Sequence, residues 1–176
     1  MATLIEKADF VGEYAISSDA KTNSILDSLI DEIEIRTMYE LLGKTLADAF
    51  LADADANGGV PTDPNYLIIY NRLMLDVHQM YCYCNADSYY SFGIKEMLKA
   101  FVYVQFNVRI AQVSTTVGLR NVQASVSNSA KLDGKYITNV QNKGVEAFRT
   151  IQNYIYDNQS DFPDFEGVRK NYAFPF

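Results

Sequence analysis

One histidine, two cysteines and no tryptophan leave this chain few of the side chains on which metal and nucleophile chemistry is built. Cys82 and Cys84 stand one residue apart, which rules out a disulfide framework and suits a protein folded in a reducing cytoplasm. Zinc prefers four ligands in closely spaced pairs. On a helix, His78 and Cys82 share a face while Cys84 points about 200° away from Cys82. Buried thiols beside an ordinary histidine is therefore the simpler reading. A di-iron bundle requires a Glu-x-x-His pair on each of two helices, and one histidine cannot supply both. There is no Gly-x-Ser-x-Gly elbow, and the "NGG" of residues 57–59 is too short for a phosphate loop and lacks the Lys-Ser/Thr that completes one. Carboxylates alone can do acid–base work, but no spacing positions a pair of them. The expectation is a non-enzymatic protein without a cofactor.

Eighteen consecutive apolar residues occur nowhere, so no spanning helix and no membrane role are expected. The start, "MATLIEKADF", has neither the basic nor the apolar region of a signal peptide. With 15 Lys and Arg against 22 Asp and Glu, the net charge of −7 predicts no non-specific affinity for nucleic-acid phosphate. What is abundant is apolar and aromatic. Hydrophobic content of 48% argues against disorder, and the length suits one domain with a real core. Thirteen Tyr and ten Phe fit cores and wet protein–protein contacts alike.

Along the chain the pattern is mainly α: a bundle of about four long helices, with a β-hairpin-like or extended loop between the last two and extended terminal arms. Residues 1–17 read as an arm anchored by Leu4, Ile5, Phe10, Val11, Tyr14 and Ile16. Ser17, Ser18 and Asp19 offer N-caps for a long first helix. Its stripe is Ile25, Leu26, Leu29, Ile33, Arg36, Tyr39 and Leu42, and Gly43 marks a kink or an end. The acidic cluster Asp27, Asp31, Glu32 and Glu34 reads as a solvated face. A second helix runs from Asn65 to about Asn85 with Leu67, Tyr70, Leu73, Met74, Val77, Tyr81 and Cys84 on one side. A third spans Ile94 to about Ala111, and a fourth spans Ala130 to about Asp157. Gly134 and Gly144 mark bends or close helix contact. The division is an N-terminal arm 1–17, a helical domain 18–157 with a projecting loop 113–129, and an extended tail 158–176.

"DADANGGVP", residues 53–61, begins as an EF-hand loop does, with Asp53, Asp55 and Asn57 at alternate positions and a glycine following. The twelfth position, where calcium needs a bidentate Glu, is Pro64. A turn between helices is the simpler reading, with an irregular oxygen site at Asp53, Asp55 and Asn57 as the alternative. On that alternative the protein is a helical ligand- or metal-binding module.

"VSTTVGLRNVQASVSNSA", residues 113–130, is rich in β-branched and small polar residues and carries one charge, Arg120. Extended chain with so little charge, together with the terminal "NYAFPF", is an aggregation hazard unless something covers it. A partner is the expectation.

An arm running into a long helix, "ADFVGEYAISSDAKTNSILDSLIDEIEIRTMYELLG", is followed by "IKEMLKAFVYVQFNVRIAQV", then by "STTVGLRNVQASVSNSA", then by "KYITNVQNKGVEAFRTIQNYIYDN". In this order the chain resembles the head–tail connector, or neck ring, proteins of tailed bacteriophages, those of crAss-like phages in particular. The resemblance implies a structural virion protein, made in the host cytoplasm. It would form a ring, usually of twelve copies, at the portal vertex and extend the DNA channel from head to tail. Its implied partners are further copies of itself, the portal protein and other neck or tail proteins, while double-stranded DNA passes through without sequence-specific binding. By place in that architecture, Thr115, Thr116, Val117, Gly118, Leu119, Arg120, Asn121 and Val122 would make the loop contact. Tyr172, Phe174 and Phe176 would make the tail contact.

Overall fold

The computed structural model describes residues 3–16, 20–71, 73–75, 89–111, 114–115, 118–119 and 134–166. Within them the chain is mainly α, and the helices number five: α1 (Ala20–Leu42), α2 (Lys44–Ala56), α3 (Pro64–Tyr70), α4 (Gly93–Ala111) and α5 (Gly134–Asp157). Two short antiparallel pairs accompany them, β1 (Leu73–Leu75) with β2 (Tyr89–Ser91) and β3 (Ser114–Thr115) with β4 (Gly118–Leu119).

Helix α4 organises the rest. Ile94, Met97, Leu98, Ala100, Phe101, Val102, Tyr103, Val104 and Phe106 are all buried, while Lys95, Glu96 and Arg109 carry its charges to the surface. A helix with so wide an apolar face packs against several neighbours at once. Accordingly α4 packs on α5 most extensively, and also on α1 and α3. On α5 the buried line is Val140, Gly144, Ala147, Phe148, Ile151 and Ile155, spaced by threes and fours. Gly144 sits where the Phe101 ring meets the α5 backbone: a Cβ there would lie 2.7 Å from Phe101 Cε1. Close helix contact, not a bend, explains this glycine.

Gly43 ends α1 and starts α2. Its φ of 78° breaks the helix, while its N–H still donates to the Tyr39 carbonyl at 3.1 Å and its carbonyl accepts from the Ala47 N–H at 3.0 Å. The buried stripe of α1 is Leu26, Leu29, Ile30, Ile33, Glu34, Thr37, Met38, Leu41 and Leu42. It is rotated from the expected one, since Arg36 is exposed and Tyr39 is 39% exposed.

Helix α3 corrects the expected second helix. Asp63 caps it by accepting from the Asn65 N–H at 2.8 Å, and Pro64 fills its first position. It ends at Tyr70, and Leu73–Leu75 is a strand. The physical reason is the close approach of Gly93 (φ +86°). A Cβ there would fall 2.1 Å from the Asn71 carbonyl oxygen and 2.4 Å from that of Tyr70. The start of α4 is pressed against the end of α3. Val77, Tyr81 and Cys84 of the expected stripe lie outside the described residues.

The terminal segments also differ from free extended arms. Residues 3–16 contain two 3-10 turns, Lys7–Asp9 and Gly12–Tyr14, and Leu4, Ile5, Phe10 and Tyr14 are buried in the common core. After α5, residues 158–166 form turns, and Phe162 packs edge-on against Tyr154 with ring centres 6.2 Å apart. Asn65 Nδ2 donates to the Asp161 carbonyl at 3.1 Å and ties this segment to α3. Apolar residues in a chain end bury themselves where the domain offers a surface.

Gly144→Ala should destabilise the protein, because overpacking against a buried ring costs about 1–3 kcal/mol and the helix preference of Ala returns only about 1 kcal/mol. Gly134→Ala, whose Cβ meets nothing within 4 Å, should be neutral or slightly stabilising. Urea unfolding followed by circular dichroism distinguishes the two, and equal midpoints would show that the Phe101 contact does not bind.

Candidate functional site

The Asp53 loop comes first, because it carries the calcium-like spacing. Asp53 lies in the last turn of α2, and its carboxylate is surrounded by donors. Oδ2 accepts from the Thr62 N–H at 2.6 Å and the Asp63 N–H at 3.0 Å. Oδ1 accepts from the Thr62 hydroxyl at 2.9 Å and from Asn57 Nδ2 at 3.1 Å. Asn57 thus turns its NH2 group, not its carbonyl oxygen, toward Asp53. The Asp63 amide foremost, helped by Thr62, holds the Asp53 carboxyl below its usual range. The oxygens that a cation would need are already used to close the loop. Asp53 and Asn57 therefore form a staple between α2 and α3, and Asp55 is exposed beside it. Among the described residues no group of three or more His, Cys, Asp or Glu could hold a metal ion.

Of the proposed loop contacts, Thr115, Gly118 and Leu119 fall in the β3–β4 ladder, where Ser114 pairs with Leu119 and Thr115 with Gly118. Thr116, Val117, Arg120, Asn121 and Val122 lie outside the described residues, as do Tyr172, Phe174 and Phe176, and His78, Cys82 and Cys84. The ladder closes just past the end of α4, the most deeply enclosed helix.

The site that the sequence did not disclose is Glu34. It belongs to the acidic cluster expected to face solvent, yet it is 4% exposed. Its Oε2 accepts from the Leu4 N–H at 2.9 Å, and the carboxylate also accepts from the Ile5 N–H. Tyr70 OH, from α3, donates to the Leu4 carbonyl at 3.3 Å. One carboxylate and one phenol thus meet the backbone of the N-terminal segment where it enters the core. A signal was present: position 34 is four residues after Ile30 and four before Met38, so it lies on the buried stripe. The other acidic residues behave as expected on the surface. Asp27 pairs with Lys7 at 2.7 Å and Glu32 with Arg109 at 2.6 Å, both pairs being partly exposed.

Further along, the N-terminal segment runs over α4 and α5. Asp9 pairs with Lys95 at 2.7 Å, and Glu13 pairs with Lys143 at 2.5 Å. Tyr136 OH donates to the Glu13 carbonyl at 2.7 Å. Tyr14, Tyr103 and Tyr136 stack edge to face, with centres 5.9 and 6.3 Å apart, and Lys99 Nζ lies 5.5 Å from the Tyr14 ring centre. Burial pushes the Tyr14 hydroxyl well above its ordinary range. An open groove of about 530 Å³ separates the segment from α1, lined by Ile5, Glu6, Lys7, Asp27, Ile30 and Asp31. The Lys7–Asp27 pair lies in its wall. The arrangement fastens the N-terminal segment to α1, α4 and α5.

Asp53→Ala should release the loop, and amide exchange at Thr62 and Asp63 should accelerate. In the native protein the lowered Asp53 pKa means that the staple is intact above the ordinary carboxylate value and is lost as pH falls through the folded value. Millimolar calcium should leave both amides unchanged by NMR. Protection that rises with calcium would instead make the loop a cation site.

In comparisons with known proteins, no family model matches the chain, and neither a curated protein nor a solved structure is similar to it.

Proposed function

We propose that this chain is a structural virion protein, a ring-forming head–tail connector at a phage portal vertex that makes and breaks no covalent bond. The reading rests on the order of its elements. A stretch whose one charge is Arg120, 113–130, follows the helix α4 and leads to α5, and these two helices form the most extensive packing in the domain. A loop so rooted carries load into the core, as a contact between neighbouring subunits requires. In this role residues 115–122 reach a neighbouring subunit or the portal, and the aromatic end at Tyr172, Phe174 and Phe176 docks on a further neighbour. The β-hairpin-like form of the loop belongs to the same proposal.

The electrostatics suit a conduit. Each copy carries −7, so a ring repels DNA phosphate and lets the duplex slide. Screening over about 8–10 Å at moderate salt confines that repulsion to the channel wall. Once a ring closes, each further contact between neighbours forms at high effective concentration, and closure leaves no open end. No helix among the described residues is long and apolar enough to cross a membrane.

Replacing residues 113–128 with a short Gly-Ser linker should preserve the helical circular dichroism and abolish incorporation into particles. Gold labelling of the intact protein in purified virions should mark a single vertex. Normal incorporation of the shortened protein would overturn the loop assignment, and label spread over the capsid would overturn the connector reading.

A further inference from the structure

Residues 3–16 are joined to α1 only through residues 17–19, and everything else that holds them is noncovalent. Most of the polar anchors are partly exposed ion pairs: Lys7 with Asp27, Asp9 with Lys95, and Glu13 with Lys143. The leading end is held differently. The Leu4 and Ile5 amides converge on one buried carboxyl, Glu34, and the Leu4 carbonyl takes the Tyr70 hydroxyl. A carboxyl that bonds a strap's backbone inside a core couples the seating of that strap to its own charge.

We propose that residues 3–16 are a latch set by the protonation of Glu34: seated when the carboxyl is neutral, and lifted at Leu4 and Ile5 when it is ionised. Lifting bares two core side chains and opens the groove between the strap and α1.

The groups around Glu34 favour this. Asp31, one turn back on α1, opposes a second negative charge. From α3 comes Tyr70, whose hydroxyl is raised by burial and stays neutral throughout the range concerned. Beyond Tyr70 lie Lys95 of α4 and Asp9 of the strap, and these two pair with each other. Burial is the largest influence on Glu34. It outweighs the two amide donors and pushes the carboxyl up from its ordinary 4.5 to about 7. Because the seated state has the higher pKa, its stabilisation is complete below the ordinary value and is lost as pH rises through about 7. The latch opens on the alkaline side.

Thermolysin cuts before residues such as Leu4, Ile5 and Phe10, which are buried while the strap is seated. Cleavage within residues 3–16, followed by intact mass at pH 5.5 and 8.5, should be compared between the wild type and Glu34→Gln. The amide of that variant keeps the acceptor and cannot ionise. The wild-type rate divided by the variant rate should rise about tenfold or more between the two values, since each unit of pKa shift is worth a factor of ten in the coupled equilibrium. An unchanged ratio overturns the proposal. Should Glu34→Gln not fold, carbon NMR of the wild type decides instead. A Glu34 carboxyl midpoint near 7, with Leu4 and Ile5 amide protection falling over the same range, supports the latch, and a midpoint near 4.5 overturns it.

Discussion

Helix α4 buries most of its circumference, and the fold is the consequence. Tyr103 and Val104 extend its buried face beyond the stripe of an ordinary amphipathic helix, leaving Lys95, Glu96 and Arg109 to reach the surface. Enclosing such a helix takes more than one neighbour. Helix α5 supplies one long wall, α1 another, α3 covers the start, and the N-terminal strap completes the enclosure through Phe10 and Tyr14. Each of these elements is held less by its own propensity than by the apolar surface it shares with α4. Where backbones must come closest, glycine stands: Gly144 beneath Phe101, and Gly93 against the carbonyls that end α3.

Enclosure by short pieces brings polar backbone into the core, and that backbone must be satisfied. The strap enters as irregular chain, so its amides have no ladder to join. Glu34 and Tyr70 supply the partners from two different helices. Leaving such a group unmet costs about 1–3 kcal/mol, which is comparable with the burial of one side chain. A carboxyl accepts from both amides, and its burial makes the joint sensitive to charge. In the neighbouring loop, whose Gly59 lies against the Thr3 carbonyl, Asp53 meets the same need in solvent, gathering the Thr62 and Asp63 amides between α2 and α3. Two acidic side chains thus serve as staples for backbone.

The functional proposal follows from where extended chain is kept and where it leaves. Apolar residues of the N-terminal strap and of residues 158–166 are folded into the domain. The charge-poor stretch 113–130 begins just past α4, and its described residues form a ladder of two residue pairs. A ladder beneath a sequence poor in charge is the combination that the proposed subunit contact asks for. The proposed latch adds a moving part in the N-terminal segment. Its opening would change which apolar surfaces a neighbour meets.

Local pattern went far where burial is one-sided or complete. The mainly helical class, the helix from Ile94 to about Ala111, the α5 stripe and the break at Gly43 could all be read along the chain, because each rests on spacing within a single helix. The turn after α2 was legible from Gly58, Gly59 and the prolines that follow, since proline and glycine act on their own backbone. Contacts between segments far apart in the chain were not legible. The expected helix from 65 to 85 stops at Tyr70 because Gly93 presses on its last carbonyls, and no periodicity near residue 70 records a neighbour twenty-three positions away. Glu34 looked like surface because charge usually marks surface. Its burial depends on Leu4 and Ile5 bringing their amides from thirty residues earlier. Spacing fixes which side of a helix is apolar, but only packing brings a distant donor to a carboxylate and so makes its burial affordable.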